Sequence, residues 1–286
     1  MIVKAARRNA ESIINEFYEK NPSNTSIGLS FSKPAELGGD ELVWDQSAVV
    51  WDSIIAYSSL TGDTQFNDVV AEALHVQSGE GNDLIPVNQT NIGNFSLLTL
   101  SAAELSFPKA VDGKPTFLRL AQNVFNSQVE RWDNSTCGGG LRNAIVDDDE
   151  NSLNWEFKGS PANSNFFLMA DRLYQLMKNN IYSSWAERMF TWALGSDLID
   201  ASTDRESWKI NDGLNIIDES DCKILSLDAA SNTIGRWLEG TAIMFNSTNG
   251  AEPWRYRLGN LSLATDTYLS PNTSTIDNPC PPDFRD

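Results

Sequence analysis

Apolar residues return every three to four positions along most of the chain, and no run of strict alternation stands out. This pattern predicts about nine helices, near residues 4–19, 44–60, 64–78, 95–106, 116–131, 164–178, 181–195, 232–246 and 252–269. Three junctions share one form: Leu60 to Phe66, Met177 to Tyr182 and Asn246 to Trp254. Each ends a helix on Gly or Asn and opens the next with a turn residue followed by an aromatic. A stop, a short loop and a fresh start are what an antiparallel helix hairpin requires. The connections at 20–43, 79–94, 132–163 and 196–231 are long by contrast and alternate with the tight ones. The alternation predicts an all-α toroid of helix pairs with its site-bearing loops on one rim. A helical solenoid is the plainer competitor.

Composition narrows the chemistry. The 286 residues carry 21 Lys and Arg against 39 Asp and Glu, a net charge of −18. Such an acidic chain lacks the basic face that phosphate backbones demand, so nucleic acid is not an expected partner. No apolar run approaches the roughly 20 residues that span a bilayer. One histidine and three cysteines rule out multi-His zinc sites and Cys-rich fingers, so neither metal nor cofactor is expected. His75 lies in a helical pattern, without a nucleophile elbow anywhere, and reads as a structural helix residue. No phosphate-binding glycine motif occurs. What remains in quantity is carboxylates, amides and aromatics, nine Trp and thirteen Phe among them. Neutral sugars suit that mixture, because their apolar faces stack on rings while carboxylates do acid/base work.

Sequons begin at Asn24, Asn88, Asn94, Asn134, Asn246, Asn260 and Asn272. Seven such triplets predict a glycosylated protein of the secretory pathway, outside the cell or on its surface or wall. The opening Met1 to Asn9 has no apolar core of about 7–15 residues, so it does not read as a secretory signal. The expectation is a chain trimmed at its start or a gene reading that begins late. Cys137, Cys222 and Cys280 leave at least one cysteine unpaired, and their pairing stays open.

The long loops hold the unusual residues. Arg131-Trp-Asp-Asn-Ser-Thr-Cys-Gly-Gly-Gly-Leu-Arg142 places three glycines where backbone can approach a ligand, flanked by Trp132 and Arg142 for stacking and donation. A flexible turn beside a structural cysteine is the competing reading. The run Asp147 to Glu150 reads as a solvated acidic loop.

Taken with Tyr57 to Val70, Asn82 to Thr90, Ser101 to Pro108, Val124 to Asp133 and Asn163 to Phe167, the run Thr136-Cys-Gly-Gly-Gly-Leu-Arg142 resembles glycoside hydrolase family 76. The hairpin turns around Trp185, Trp192 and Trp254 look similar too. That family holds fungal and bacterial endo-α-1,6-mannanases, including fungal proteins that process or cross-link wall mannan. The resemblance implies a six-hairpin (α/α)6 toroid. This chain, read as one domain over 1–286 acting as a monomer, would supply about nine of its twelve helices and lack the C-terminal ones. It also implies α-1,6-mannan or mannooligosaccharides, on cell-wall or anchored glycoproteins, as partners. Trp132, Gly138, Gly139, Gly140, Leu141, Arg142 and Asn163 are the expected sugar-contacting residues.

The departures concern the chemistry. The family's catalytic pair is two adjacent aspartates in a Gly-Asn-Asp-Asp-Gln run. Here Gly93-Asn94 passes directly to Phe95-Ser96, with about five residues absent, so no catalytic residue is assigned. Asp83 lies nearby but matches another family position. The family's Trp-Gln after Leu-Arg is replaced by Asn143-Ala144, and its aromatic-rich start of a later helix by Ala230 to Thr233. The class implied is a mannan-active hydrolase, and the chemistry of this chain predicts inactivity. A non-catalytic mannan-binding wall protein and an incomplete gene product are the alternatives.

Overall fold

The computed structural model describes residues 2–16, 44–85, 113–145, 147, 152–202, 208–219, 221–228 and 231–269. The predicted helix at 95–106, the junction at 93–96, Glu104, Asp148 to Glu150, Cys280 and the sequons at Asn24, Asn88, Asn94 and Asn272 fall outside them. The chain divides into two compact units: 1–131 with 144–151, and 132–143 with 152–286.

The first unit contains α1 (Ile2–Glu16), α2 (Trp44–Thr61), α3 (Asn67–Val76) and α4 (Phe117–Glu130). Gly62, at φ 73°, ends α2 and turns the chain toward α3. Thr116 opens α4, its hydroxyl accepting from the Arg119 N–H at 3.2 Å. Trp51, Ile54, Ile55, Leu74, Leu120 and Phe125 are buried in this unit. His75 is 4% exposed and stacks on Phe117 with centroids 5.0 Å apart, the structural placement expected of it. Burial, and then the charge of Lys114, lowers its pKa.

The second unit contains a short α5 (Ser152–Trp155), β1 (Phe157–Gly159), α6 (Ser160–Met177), α7 (Asn180–Gly195), β2 (Ile199–Asp200), β3 (Lys209–Ile216), β4 (Cys222–Asp228), α8 (Ser231–Ser247) and α9 (Trp254–Leu269). Lys178 at φ 54° ends α6, and the Asn179 side chain accepts from the Ile181 N–H at 3.1 Å to start α7. Asn249 and Gly250, both at positive φ, make the α8–α9 turn. All three expected hairpin junctions are therefore present. Phe167, Phe190, Trp237 and Trp254 pack as one aromatic cluster with centroids 5.0–6.2 Å apart. Arg257 lies 4.6 Å over Phe190 and 4.5 Å over Trp254, and forks onto Glu187 at 2.7 and 2.6 Å.

Two expectations need correction. The connection at 196–231 is not a loop, because β3 pairs antiparallel with β1, β2 and β4. Asp212 interrupts the alternation of Ile210, Leu214 and Ile216 in β3, and the pairing is secured by partners distant in sequence. Helix α6 starts at Ser160, four positions earlier than the pattern indicated. Its first turns bury Ser160, Asn163, Ser164 and Asn165, polar residues that a hydrophobic period cannot register.

One core position is unusual. Asp171 of α6 is fully buried, and neither carboxylate oxygen has a hydrogen-bond partner among the described residues. Gly240 of α8 leaves room for it, since a Cβ there would meet Asp171 Oδ2, and Phe167 Cε1 at 2.7 Å. Burial first, then the charges of Glu187 and Glu239, pushes the Asp171 carboxyl well above the ordinary carboxylate range.

Candidate functional site

The site is built on the loop from Trp132 to Asn143. Four consecutive residues, Cys137, Gly138, Gly139 and Gly140, take positive φ values of 51°, 67°, 146° and 91°. Only glycine adopts the wider of these without strain. Space makes the same demand: a Cβ on Gly139 would lie 2.6 Å from Trp132 Cζ2, and one on Gly140 would enter the Trp192 ring. Both glycines bring backbone against tryptophan. The Trp192 indole N–H donates to the Cys137 carbonyl at 2.9 Å, and the Asp133 N–H to the Gly140 carbonyl at 3.0 Å. A disulfide from Cys137 to Cys222 ties the loop to β4.

A cation holds the inside of the loop. Lys158 of β1 is fully buried, and its Nζ donates to the carbonyls of Asp133, Thr136 and Gly139 at 3.1, 2.7 and 2.6 Å. It also pairs with Asp133 Oδ2 at 3.1 Å. Arg142 Nε meets the same oxygen at 3.0 Å, its Nη1 donates to the Trp155 carbonyl at 2.7 Å, and its guanidinium sits 4.6 Å over the Trp155 ring. Burial alone would raise the Asp133 pKa. The Ser135 and Thr136 hydroxyls and the Lys158 ammonium outweigh it and hold the carboxylate well below its usual range. Burial brings Lys158 down to about 8, against the pull of Asp133.

Asn163 secures the end of the loop. Its Oδ1 accepts from the Leu141 N–H at 2.8 Å, and its Nδ2 donates to the carbonyls of Leu141 at 3.1 Å and Gly159 at 2.8 Å. The structure thus brings all seven expected sugar-contacting residues to one loop and its support. Trp132 and Gly138 line an open cavity of about 570 Å³ with Trp192, Arg188, Thr191 and Ser184. Leu141 and Asn163 are fully buried, and Arg142 is turned onto Asp133 and Trp155. Arg188 lies over two rings, 4.8 Å from Trp132 and 4.6 Å from Trp185. The sequence reading did not single out Asp133, Lys158 or Arg188. Asp133 stood next to Trp132 in the motif, whereas nothing local marks a lysine that reaches back across about twenty residues.

The other candidate carboxylates lie elsewhere. Asp83, in the first unit, accepts from the Ile85 N–H at 3.3 Å and attracts Arg131, whose pKa burial lowers to about 10. Asp147 is exposed.

The model of glycosyl hydrolase family 76 matches residues 1–286. The chain belongs to this family. It is 34% identical over 236 residues to the mannan endo-1,6-α-mannosidase DCW1 of Candida glabrata, covering 80% of this chain and 51% of that protein. It is 31% identical to DCW1 of Saccharomyces cerevisiae, covering 92% of this chain and 57% of that one. The chain thus spans about half the length of these curated relatives. Dfg5 from Chaetomium thermophilum, solved in complex with glucosamine, superposes with a TM-score of 0.78 at 32% identity, over 93% of this chain and 64% of that one. An inactive variant of the Salegentibacter sp. α-1,6-mannanase has two consecutive aspartates replaced by alanine and is solved in complex with α-1,6-mannotetrose. It gives a TM-score of 0.69 at 15% identity, over 92% and 69% of the two chains, a likeness of fold alone. The fold class is the mostly helical α/α toroid of the family, with a small sheet in the second unit.

Proposed function

We propose that this chain recognises α-1,6-mannan and does not hydrolyse it. The observation that carries this reading is the passage from Gly93-Asn94 directly into Phe95-Ser96, where the family pattern has its aspartate pair. Retaining hydrolysis needs two carboxyls about 5–5.5 Å apart, one to attack and one to protonate the leaving oxygen. Losing a nucleophile costs on the order of 10⁶ in rate in the protease precedent, about 8 kcal/mol of barrier. The Salegentibacter complex supports recognition without turnover, because that inactive variant still holds its oligosaccharide. In this reading Trp132 and Gly138 contact sugar, while Gly139, Gly140, Leu141, Arg142 and Asn163 keep the loop in shape.

The reading places the protein, as a monomeric glycoprotein, in the secretory pathway and at the cell surface or wall. The Cys137–Cys222 disulfide supports an oxidising compartment, as do the sequons. The test is a reducing-end assay on linear α-1,6-mannan, with calorimetry of a mannooligosaccharide alongside. Heat of binding without turnover is expected. Inserting an Asp-Asp pair after Asn94 with its flanking residues is expected to restore activity. Turnover by the unmodified chain at an ordinary enzymatic rate, about 1–10³ per second, overturns the proposal.

A further inference from the structure

The described residues include three sequon asparagines, and their amides are used differently. Asn260, within α9, donates its Nδ2 to the Tyr256 carbonyl at 2.8 Å. Asn246 is exposed near the end of α8. Asn134 is exposed on the Trp132–Asn143 loop, and its amide oxygen accepts twice: from the Trp132 indole N–H at 2.8 Å and from Arg188 Nη2 at 3.0 Å. Its Nδ2, the atom that carries an N-linked glycan, makes no hydrogen bond among the described residues. A glycosylated asparagine keeps its amide oxygen as an acceptor, so both of these bonds survive modification. The two donors fix the plane of the amide from residues that also line the 570 Å³ cavity.

We infer that Asn134 carries an N-glycan whose first sugars lie against the cavity edge at Arg188. This rests on the secretory reading above. An N-acetylglucosamine ring presents apolar C–H faces that stack on indole, together with amide and hydroxyl groups that pair with a guanidinium or a threonine hydroxyl. Arg188, in contact with the Asn134 amide, is exposed and supplies the guanidinium, and Trp192 and Thr191 line the same cavity. The glycan thereby borders the cavity at Arg188, beside the Trp132 and Gly138 surface assigned to mannan above.

The test expresses the full chain behind a secretory leader in an N-glycosylating host. Glycopeptide mass spectrometry is expected to find Asn134 occupied in most molecules. An endoglycosidase is expected to release this glycan several-fold more slowly from native than from denatured protein. A bare Asn134 with other sequons occupied overturns this inference alone. No occupied sequon anywhere overturns it together with the secretory reading. Equal release from native and denatured protein overturns the seating of the glycan.

Discussion

Replacing Asp171 by Asn tests the buried carboxyl with the least change of shape. The folded state keeps the Asp171 proton because burial and the nearby Glu187 and Glu239 all disfavour the anion. The unfolded chain releases it near the ordinary aspartate value of about 3.9. Above that pH the unfolded state therefore binds fewer protons at this position than the folded state. Stability from Asp171 is full below about pH 4 and falls as pH rises, by about 1.4 kcal/mol per unit, until the folded group itself ionises. Over the three units from pH 4 to 7, the loss is at most about 4 kcal/mol. An asparagine has no proton to hold, so the variant lacks this slope. Urea unfolding followed by tryptophan fluorescence at half-unit steps from pH 4 to 7 isolates the effect, since every other carboxylate is common to both proteins. The stability difference is expected to grow with pH in favour of Asp171→Asn. A difference that stays constant across the range would mean that Asp171 is ionised in the fold or has found a partner, and the argument would fail.

Lys158→Met leaves Asp133 and three loop carbonyls without their shared donor, and removing one member of a buried pair costs about 3–5 kcal/mol. Chemical denaturation is expected to show a loss of that size; a loss under about 1 kcal/mol would place the ammonium in solvent. The Cys137–Cys222 disulfide closes a separation of 85 residues, for which the chain-entropy relation gives about 4.5 kcal/mol. A Cys222→Ser variant is expected to unfold at markedly lower denaturant, and an unchanged midpoint would show that the loop and β4 are held by packing alone.

The helices were legible because their apolar period and their Gly and Asn stops are local properties of the chain. The α6–α7 and α8–α9 turns depend on residues within a few positions of one another. The sheet was not legible, because β3 takes its partners from β1, more than fifty residues earlier, and from a β4 whose alternation is broken between Ile224 and Leu225. The triglycine was legible as a demand for close backbone approach, but sequence could not say what approaches, and in the described structure Trp132 and Trp192 do. Lys158 had no local mark at all. Its meaning comes from three carbonyls that converge only once the loop has folded.

Many surface loops are ordered by a metal ion drawn from solution, and their order then varies with the ion's supply. The Trp132–Asn143 loop takes its central positive charge from a side chain of its own polypeptide. That charge cannot be diluted away or stripped by a chelator, and it reaches the carbonyls at the high local concentration that a covalent tether gives. The dependence moves instead to the sheet that carries the lysine. The register of β1 on β3 sets the ammonium where the loop closes around it. The shape of the loop is therefore conditional on a sheet that lies outside it.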